Sequence, residues 1–317
     1  MPGFGQVGRQ NMAMRTLTRV LPAVFAGILV VFAPTVAAAP VPGSSQPQLP
    51  FPLAMQPDGV QATSAALAEG NTGLLVWSRQ PATRVPIASI TKVMTAIVVL
   101  ESGDLDRPVT VSRAALDYAA SEGGSTADLA PGEVLTARQL LYAMLLPSGC
   151  EAAYALAEAY GPGQAAFLAK MNDTARRLGM TDTHFADPSG LPIPDDYATY
   201  STAADLVRLG RHAMSIPVFR EIVGSPVHHQ PAGPANSAHT WESTNDLLGR
   251  YPGVTGIKTG NTDAAGTCLL FEASRGGQRL IGVVLNSSPF DMAAATADAE
   301  RLMNWGFLPI LSTLPIG

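Results

Sequence analysis

Pro86-Ile-Ala-Ser-Ile-Thr-Lys-Val-Met-Thr-Ala-Ile-Val-Val-Leu100 is the stretch on which both the fold and the chemistry turn. Ile90, Val93, Met94, Ile97 and Val98 recur at helical spacing, so the segment reads as a buried helix with Ser89 at its mouth. Lys92 is the sole charged residue between Pro86 and Leu100. Positions i and i+3 of a helix share a face, so the Ser89 hydroxyl and the Lys92 amine can meet.

Working outward, Gly73 to Trp77 reads as a strand, ended by Ser78-Arg-Gln-Pro81. The folded part begins near Ser64, and residues 40–60, rich in Pro, Gln and Ser up to 57, read as a linker. Before it come Arg9, Arg15 and Arg19, an apolar run from Leu21 to Ala33, and Val36-Ala-Ala-Ala39. That order reads as a secretory signal peptide over 1–39, cut after Ala38 or kept as an N-terminal anchor. An extracytoplasmic, cell-wall location is expected.

Downstream, Thr136-Ala-Arg-Gln139 is a capping box opening a helix through Leu146, with Pro147 and Gly149 ending it. Further helices fit Glu151 to Tyr160, Gln164 to Leu178 and Thr202 to Met214. Asp187-Pro-Ser-Gly-Leu-Pro192 reads as a loop. Past 225 the pattern turns to strands: Gly253 to Thr259, Gly266 to Ala273 and Arg279 to Leu285. Met292 to Trp305 is a closing helix. The expected fold class is α+β, an antiparallel five-stranded sheet flanked by helices, within a catalytic domain over 61–310. A mostly helical lobe over about 112–224 is inserted in it, leaving a cleft between lobe and sheet.

The net charge of -5 offers no basic face for a phosphate backbone, which excludes nucleic acid as a partner. The five histidines lack metal-ligand spacing, and His228-His229, between Pro226 and Pro231, reads as a loop or strand end. No metal and no cofactor are expected.

Lysine is the informative residue. The chain holds three lysines, Lys92, Lys170 and Lys258, against seventeen arginines. Lys persists where a smaller ammonium, or one able to lose its proton, is needed. A serine hydroxyl is a poor nucleophile until a neighbouring base takes its proton. The apolar helix around Lys92, and repulsion from Lys258 if the two lie close, favour a neutral amine, a state arginine does not reach. Ser148-Gly-Cys150 lies between two helices, where a second hydroxyl can relay a proton. Lys258-Thr-Gly260 falls on a strand, where a cation and a hydroxyl can hold a carboxylate while Gly260 lets substrate approach the backbone. Each motif alone has a bland reading: a snorkelling lysine, a helix end, a solvated edge strand. Together, in this order and on these elements, they read as an active-serine site.

With these motifs the sequence resembles the D-alanyl-D-alanine carboxypeptidases among the low-molecular-mass penicillin-binding proteins, over roughly residues 60–307. Arg84-Val-Pro-Ile-Ala-Ser-Ile-Thr-Lys92, Pro131-Gly-Glu133, Leu140 through Gly149, Met171-Asn172 with Leu178-Gly-Met180, and Tyr251 through Gly260 carry the likeness, with Trp305-Gly-Phe307 at the end. The resemblance implies Ser89 as acylated nucleophile, Lys92 as general base, and Ser148 as proton relay. It implies Lys258 as a positive charge in the site, Thr259 as the residue that binds the substrate's terminal carboxylate, and the N–H groups of Ser89 and Asn261 as an oxyanion hole. Its implied substrate is the D-Ala-D-Ala end of peptidoglycan stem peptides, with β-lactams as covalent inhibitors.

Three departures stand out. Cys150 occupies the position where the family usually carries Asn, whose amide orients the substrate carbonyl; a thiol donates far more weakly. Ser287 to Ala293 lacks the Arg that many relatives use on the carboxylate. The β-rich second domain and amphipathic anchor of many members are expected to be absent. Cys150 and Cys268 both flank site motifs, so a disulfide between them stands open beside two free thiols. Transpeptidation through the same acyl-enzyme, and a wall-binding relative weakened by the loss of Asn, are the alternatives to hydrolysis. A β-lactamase is disfavoured by the absence of a Ser-Asp-Asn motif, and an α/β-hydrolase by the absence of Gly-x-Ser-x-Gly.

Overall fold

The computed structural model describes residues 56–308, so the leader and residues 40–55 of the expected linker lie outside the described residues. In chain order the elements are β1 (Ser64–Glu69), β2 (Leu75–Arg79), β3 (Val85–Pro86), α1 (Thr91–Ser102), β4 (Pro108–Thr110), α2 (Arg113–Ser121), β5 (Val134–Thr136), α3 (Ala137–Leu145), α4 (Cys150–Tyr160) and α5 (Gln164–Arg177). They continue as β6 (Tyr200–Ser201), α6 (Ala203–Ala213), α7 (Pro217–Val223), β7 (Val227–Gln230), β8 (His239–Glu242), β9 (Val254–Thr262), β10 (Gly266–Arg275), β11 (Gln278–Leu285) and α8 (Met292–Gly306). A 3-10 turn, Ala88–Ile90, leads into α1.

The expected five-stranded antiparallel sheet is present, in the order β2-β1-β11-β10-β9. Both faces are covered, so strands such as β10 are buried for eight consecutive residues rather than alternating. On one face α8 packs Ala295 and Leu302 near Leu67, Phe271 and Leu280. On the other, α1 and α6 share a core with Ala66, Leu270, Ile281 and Val283. Thr91 to Val99 are all buried, as a helix apolar on every side requires. α6, inside the 112–224 segment, lies against β1, β10 and β11, so helices of that segment and the sheet close over one apolar core.

The capping box of α3 forms as expected: Gln139 N donates to Thr136 Oγ1 at 3.3 Å and Thr136 N donates to Gln139 Oε1 at 2.8 Å. Elements the sequence reading leaves out are short or low in β propensity. β1 is Ser-Ala-Ala-Leu-Ala-Glu, poor in β-branched residues. α7 has seven residues with Pro at its start, too few to display a period. The pairs β3–β6, β4–β5 and β7–β8 are ladders of a few residues. His228 and His229 sit within β7, where His228 stacks on Tyr142 with ring centroids 3.8 Å apart.

Candidate active site

The turn into α1 presents Ser89 half-exposed between buried Ala88 and Ile90. Ala88 is held at φ +46°, a left-handed conformation that costs a residue with a side chain about 1–3 kcal/mol. One helical turn on, Lys92 is fully buried, and its Nζ lies 2.8 Å from Ser89 Oγ, 2.9 Å from Ser189 O and 3.4 Å from Cys150 Sγ. Among the described residues it forms no ion pair with a carboxylate.

Ser148 follows Pro147 beyond the end of α3 and adopts φ +70°. Its hydroxyl is buried and has no hydrogen-bond partner among the described residues, so it does not bond Ser89 or Lys92 directly. Leaving a buried hydroxyl unpaired costs about 1–3 kcal/mol. A left-handed backbone and an unmet hydroxyl therefore coincide at one residue.

Cys150 opens α4, and its backbone N–H donates to Ser125 O at 2.8 Å. The disulfide left open by the sequence does not form: both cysteines are buried free thiols. The reason is orientation. Cys150 Sγ faces Lys92 Nζ, whereas Cys268 Sγ, on β10, turns to its own strand entry at Ala265 O (3.5 Å) and Gly266 O (3.8 Å). Burial raises the Cys268 thiol to about 12, which keeps it an inert core group.

The third motif lies on β9, the edge of the sheet. Lys258 is not the solvated residue an edge strand suggests; it is 1% exposed. Desolvation first, then repulsion from Lys92, lowers its pKa to about 7, with Cys150 opposing. Its Nζ reaches Thr259 Oγ1 at 3.5 Å. Thr259 Oγ1 in turn lies 2.5 Å from Thr244 Oγ1, while Thr244 N donates to Leu146 O at 3.1 Å, tying the third motif to the end of α3 just before the second. Gly260 is small for a reason beyond substrate access. A Cβ there would stand 3.1 Å from Ile87 O and 3.2 Å from Ser89 N, so the missing side chain is the space into which the nucleophile's turn packs. Asn261 is exposed and sits opposite Thr267 in the ladder.

The fold thus brings Ser89, Lys92 and Cys150 into contact, with Lys258 close enough to feel the Lys92 charge and Gly260 against the Ser89 turn. Residues the sequence reading missed are Thr244, Glu151 and the group Tyr118, Asp187 and Ser189. Glu151 is buried beside Cys150; Ala127 N donates to its Oε1 at 2.6 Å, its Oε2 has no partner among the described residues, and burial raises its pKa. Asp187-Pro-Ser-Gly carried the signal of an Asx turn. α2, which bears Tyr118, was marked only by its N-cap Ser112.

A half-exposed hydroxyl next to a strained residue, a buried amine at hydrogen-bond distance and a second buried amine on a sheet edge define an active-serine enzyme of the Ser-x-x-Lys class. The family of D-alanyl-D-alanine carboxypeptidases matches residues 52–289, and the chain belongs to it. A D-alanyl-D-alanine carboxypeptidase of Streptomyces sp. (strain K15) is 38% identical over 260 residues, 78% of this chain and 88% of the relative. One from Mycobacterium tuberculosis is 38% identical over 258 residues, 79% and 84% respectively. The crystal structure of the Streptomyces K15 DD-transpeptidase superposes with a TM-score of 0.74 at 38% identity, covering 78% of this chain and 98% of that one. A D-alanyl-D-alanine carboxypeptidase structure from Mycobacterium tuberculosis H37Rv gives 0.72 at 33% identity, covering 85% and 96%.

Proposed function

We propose that this protein is a serine D-alanyl-D-alanine carboxypeptidase that removes the terminal D-Ala of peptidoglycan stem peptides through an acyl-enzyme on Ser89. The observation that carries the reading is the 2.8 Å approach of a fully buried Lys92 amine, in no ion pair among the described residues, to the Ser89 hydroxyl. Two buried amines in one site repel, and this repulsion, after desolvation, lowers the Lys258 pKa to about 7. A neutral Lys92 amine takes the Ser89 proton as Oγ attacks the D-Ala-D-Ala carbonyl. The tetrahedral oxyanion is received by the N–H groups of Ser89 and Asn261, a contribution of about 3–4 kcal/mol for each such donor. Ser148, whose hydroxyl has no partner among the described residues, passes the proton from Lys92 to the departing D-Ala amine. Lys258 and Thr259 hold the terminal carboxylate. Water then releases the shortened peptide and restores Ser89. A β-lactam, carrying the same carbonyl and carboxylate, acylates Ser89 and is released slowly.

Transpeptidation, in which an amine of a second stem takes the place of water, is compatible with the same acyl-enzyme, and one feature bears on it. Cys150 stands where the family's amide donor usually grips the substrate, and similarity to a DD-transpeptidase accompanies it. Export of the enzyme to the cell wall is part of the proposal and rests on the leader-like residues 1–39.

Labelling of the purified protein by a fluorescent penicillin, followed by mapping of the modified residue, tests acylation; a label on any residue but Ser89, or none, refutes it. Free D-Ala released from a pentapeptide, measured with and without an amine acceptor, tests hydrolysis. Amide product in excess of hydrolysis overturns the carboxypeptidase assignment and leaves acylation intact.

A further inference from the structure

The loop that holds the base is itself held by two residues outside all three motifs. Asp187, 2% exposed, gathers the turn around its carboxylate. Oδ1 accepts from the backbone N–H groups of Ser189 (2.7 Å), Gly190 (2.6 Å) and Leu191 (3.0 Å), and from Ser189 Oγ at 2.9 Å. Oδ2 accepts from Tyr118 OH at 2.5 Å, and that phenol also meets Ser189 Oγ at 2.7 Å. The gathered turn is pressed onto α1 at two carbonyls: Thr95 Oγ1 donates to Pro188 O at 2.5 Å, and Lys92 Nζ to Ser189 O at 2.9 Å. Gly190 backs against the Ala88 carbonyl, where a Cβ would collide, so the same turn braces the residue preceding Ser89. Burial and the neighbouring Asp187 charge raise the Tyr118 phenol far above its ordinary value, so it stays a donor.

The consequence lies in how a neutral amine divides its orbitals. It has two N–H bonds and one lone pair, and Lys92 Nζ has three neighbours: Ser89 Oγ, Ser189 O and Cys150 Sγ. A carbonyl only accepts, so Ser189 O takes one N–H. Cys150 Sγ, a weak acceptor, takes the other. The lone pair is left for the hydroxyl proton of Ser89. We infer that Tyr118 and Asp187 are positioning residues, which hold the Ser189 carbonyl so that the Lys92 lone pair points at Ser89. The inference rests on Lys92 being the base, as proposed above.

The test separates acylation from binding. For the wild-type protein, Tyr118→Phe and Asp187→Asn, the rate of reaction with a fluorescent penicillin is measured against concentration. This yields the noncovalent dissociation constant K and the acylation rate constant k2, and melting curves report folding. The expected result for Tyr118→Phe is a fall in k2 of about tenfold, the scale of one lost orienting bond of about 1.4 kcal/mol, with K and the folded state retained. Asp187→Asn is expected to lower k2 at least as far. If it fails to fold, Tyr118→Phe decides alone. Unchanged k2, or a loss confined to K, overturns the inference. A wild-type protein that does not label at Ser89 overturns the proposed function instead, so the two failures are distinguishable.

Discussion

Replacing Lys92 should separate catalysis from stability, because the structure assigns it much to do in one and little in the other. Its amine lies 2.8 Å from Ser89 Oγ, and general-base assistance of this kind contributes about 10²–10⁴ in rate, or about 3–5 kcal/mol of barrier. Lys92→Met keeps a long unbranched side chain of similar volume and discards the amine. Because Lys92 is fully buried and forms no ion pair among the described residues, removing its amine breaks no ion pair there. Against that, the Ser189 carbonyl loses its Lys92 donor, at a cost of about 1–3 kcal/mol. The expected outcome is acylation slowed by about 10²–10⁴ in a protein that still melts cooperatively, within several degrees of wild type. Lys92→Arg should be equally slow, since a guanidinium keeps its proton at any pH an assay uses. The measurement is acylation by a β-lactam followed by intact-protein mass spectrometry, alongside thermal melting. Either variant acylating within about threefold of wild type would refute the base assignment. Slow acylation in a protein that no longer melts cooperatively would refute the separation.

Lys258→Met tests the second buried amine. The folded pKa of Lys258, about 7, lies below its unfolded value of 10.5, so between these limits the unfolded state binds more protons and wild-type stability rises with pH. The stability advantage of Lys258→Met over wild type should therefore be largest below pH 7. It should shrink toward pH 10.5, by at most about 1.4 kcal/mol per pH unit; chemical denaturation at several pH values measures it, and a constant or widening gap contradicts the assignment. Gly260→Ala brings a methyl within 3.1 Å of Ile87 O and 3.2 Å of Ser89 N. Acylation should slow by about tenfold or more while the melting temperature falls only a few degrees, and unimpaired acylation would show that the turn has slack. Thiol titration of the protein unfolded in denaturant without reductant should count two free cysteines; a count of zero would place Cys150 and Cys268 in a disulfide after all.

Periodicity and capping were enough for the long elements. α1 is apolar on every side, α3 carries a capping box, and β9, β10 and β11 are β-rich runs separated by glycine turns, all local signals read within a dozen residues. The scarcity of lysine likewise marked two of the site's amines before any geometry was known. What the chain order alone could not supply were the contacts between segments far apart in it. The burial of Lys258 on an edge strand depends on the Ile87–Ser89 turn packing into the space above Gly260, about 170 residues away along the chain. The separation of the two thiols depends on which way each side chain turns from its own backbone. The grip on the base by Tyr118, Asp187 and the Ser189 carbonyl joins a helix too weakly patterned to be read with a turn that looked like any other loop. Local sequence specifies propensities over one or two turns of backbone. Hydrogen bonds and charge repulsion between distant segments exist only once packing has excluded water and set the distances, and there the chemistry of this site is decided.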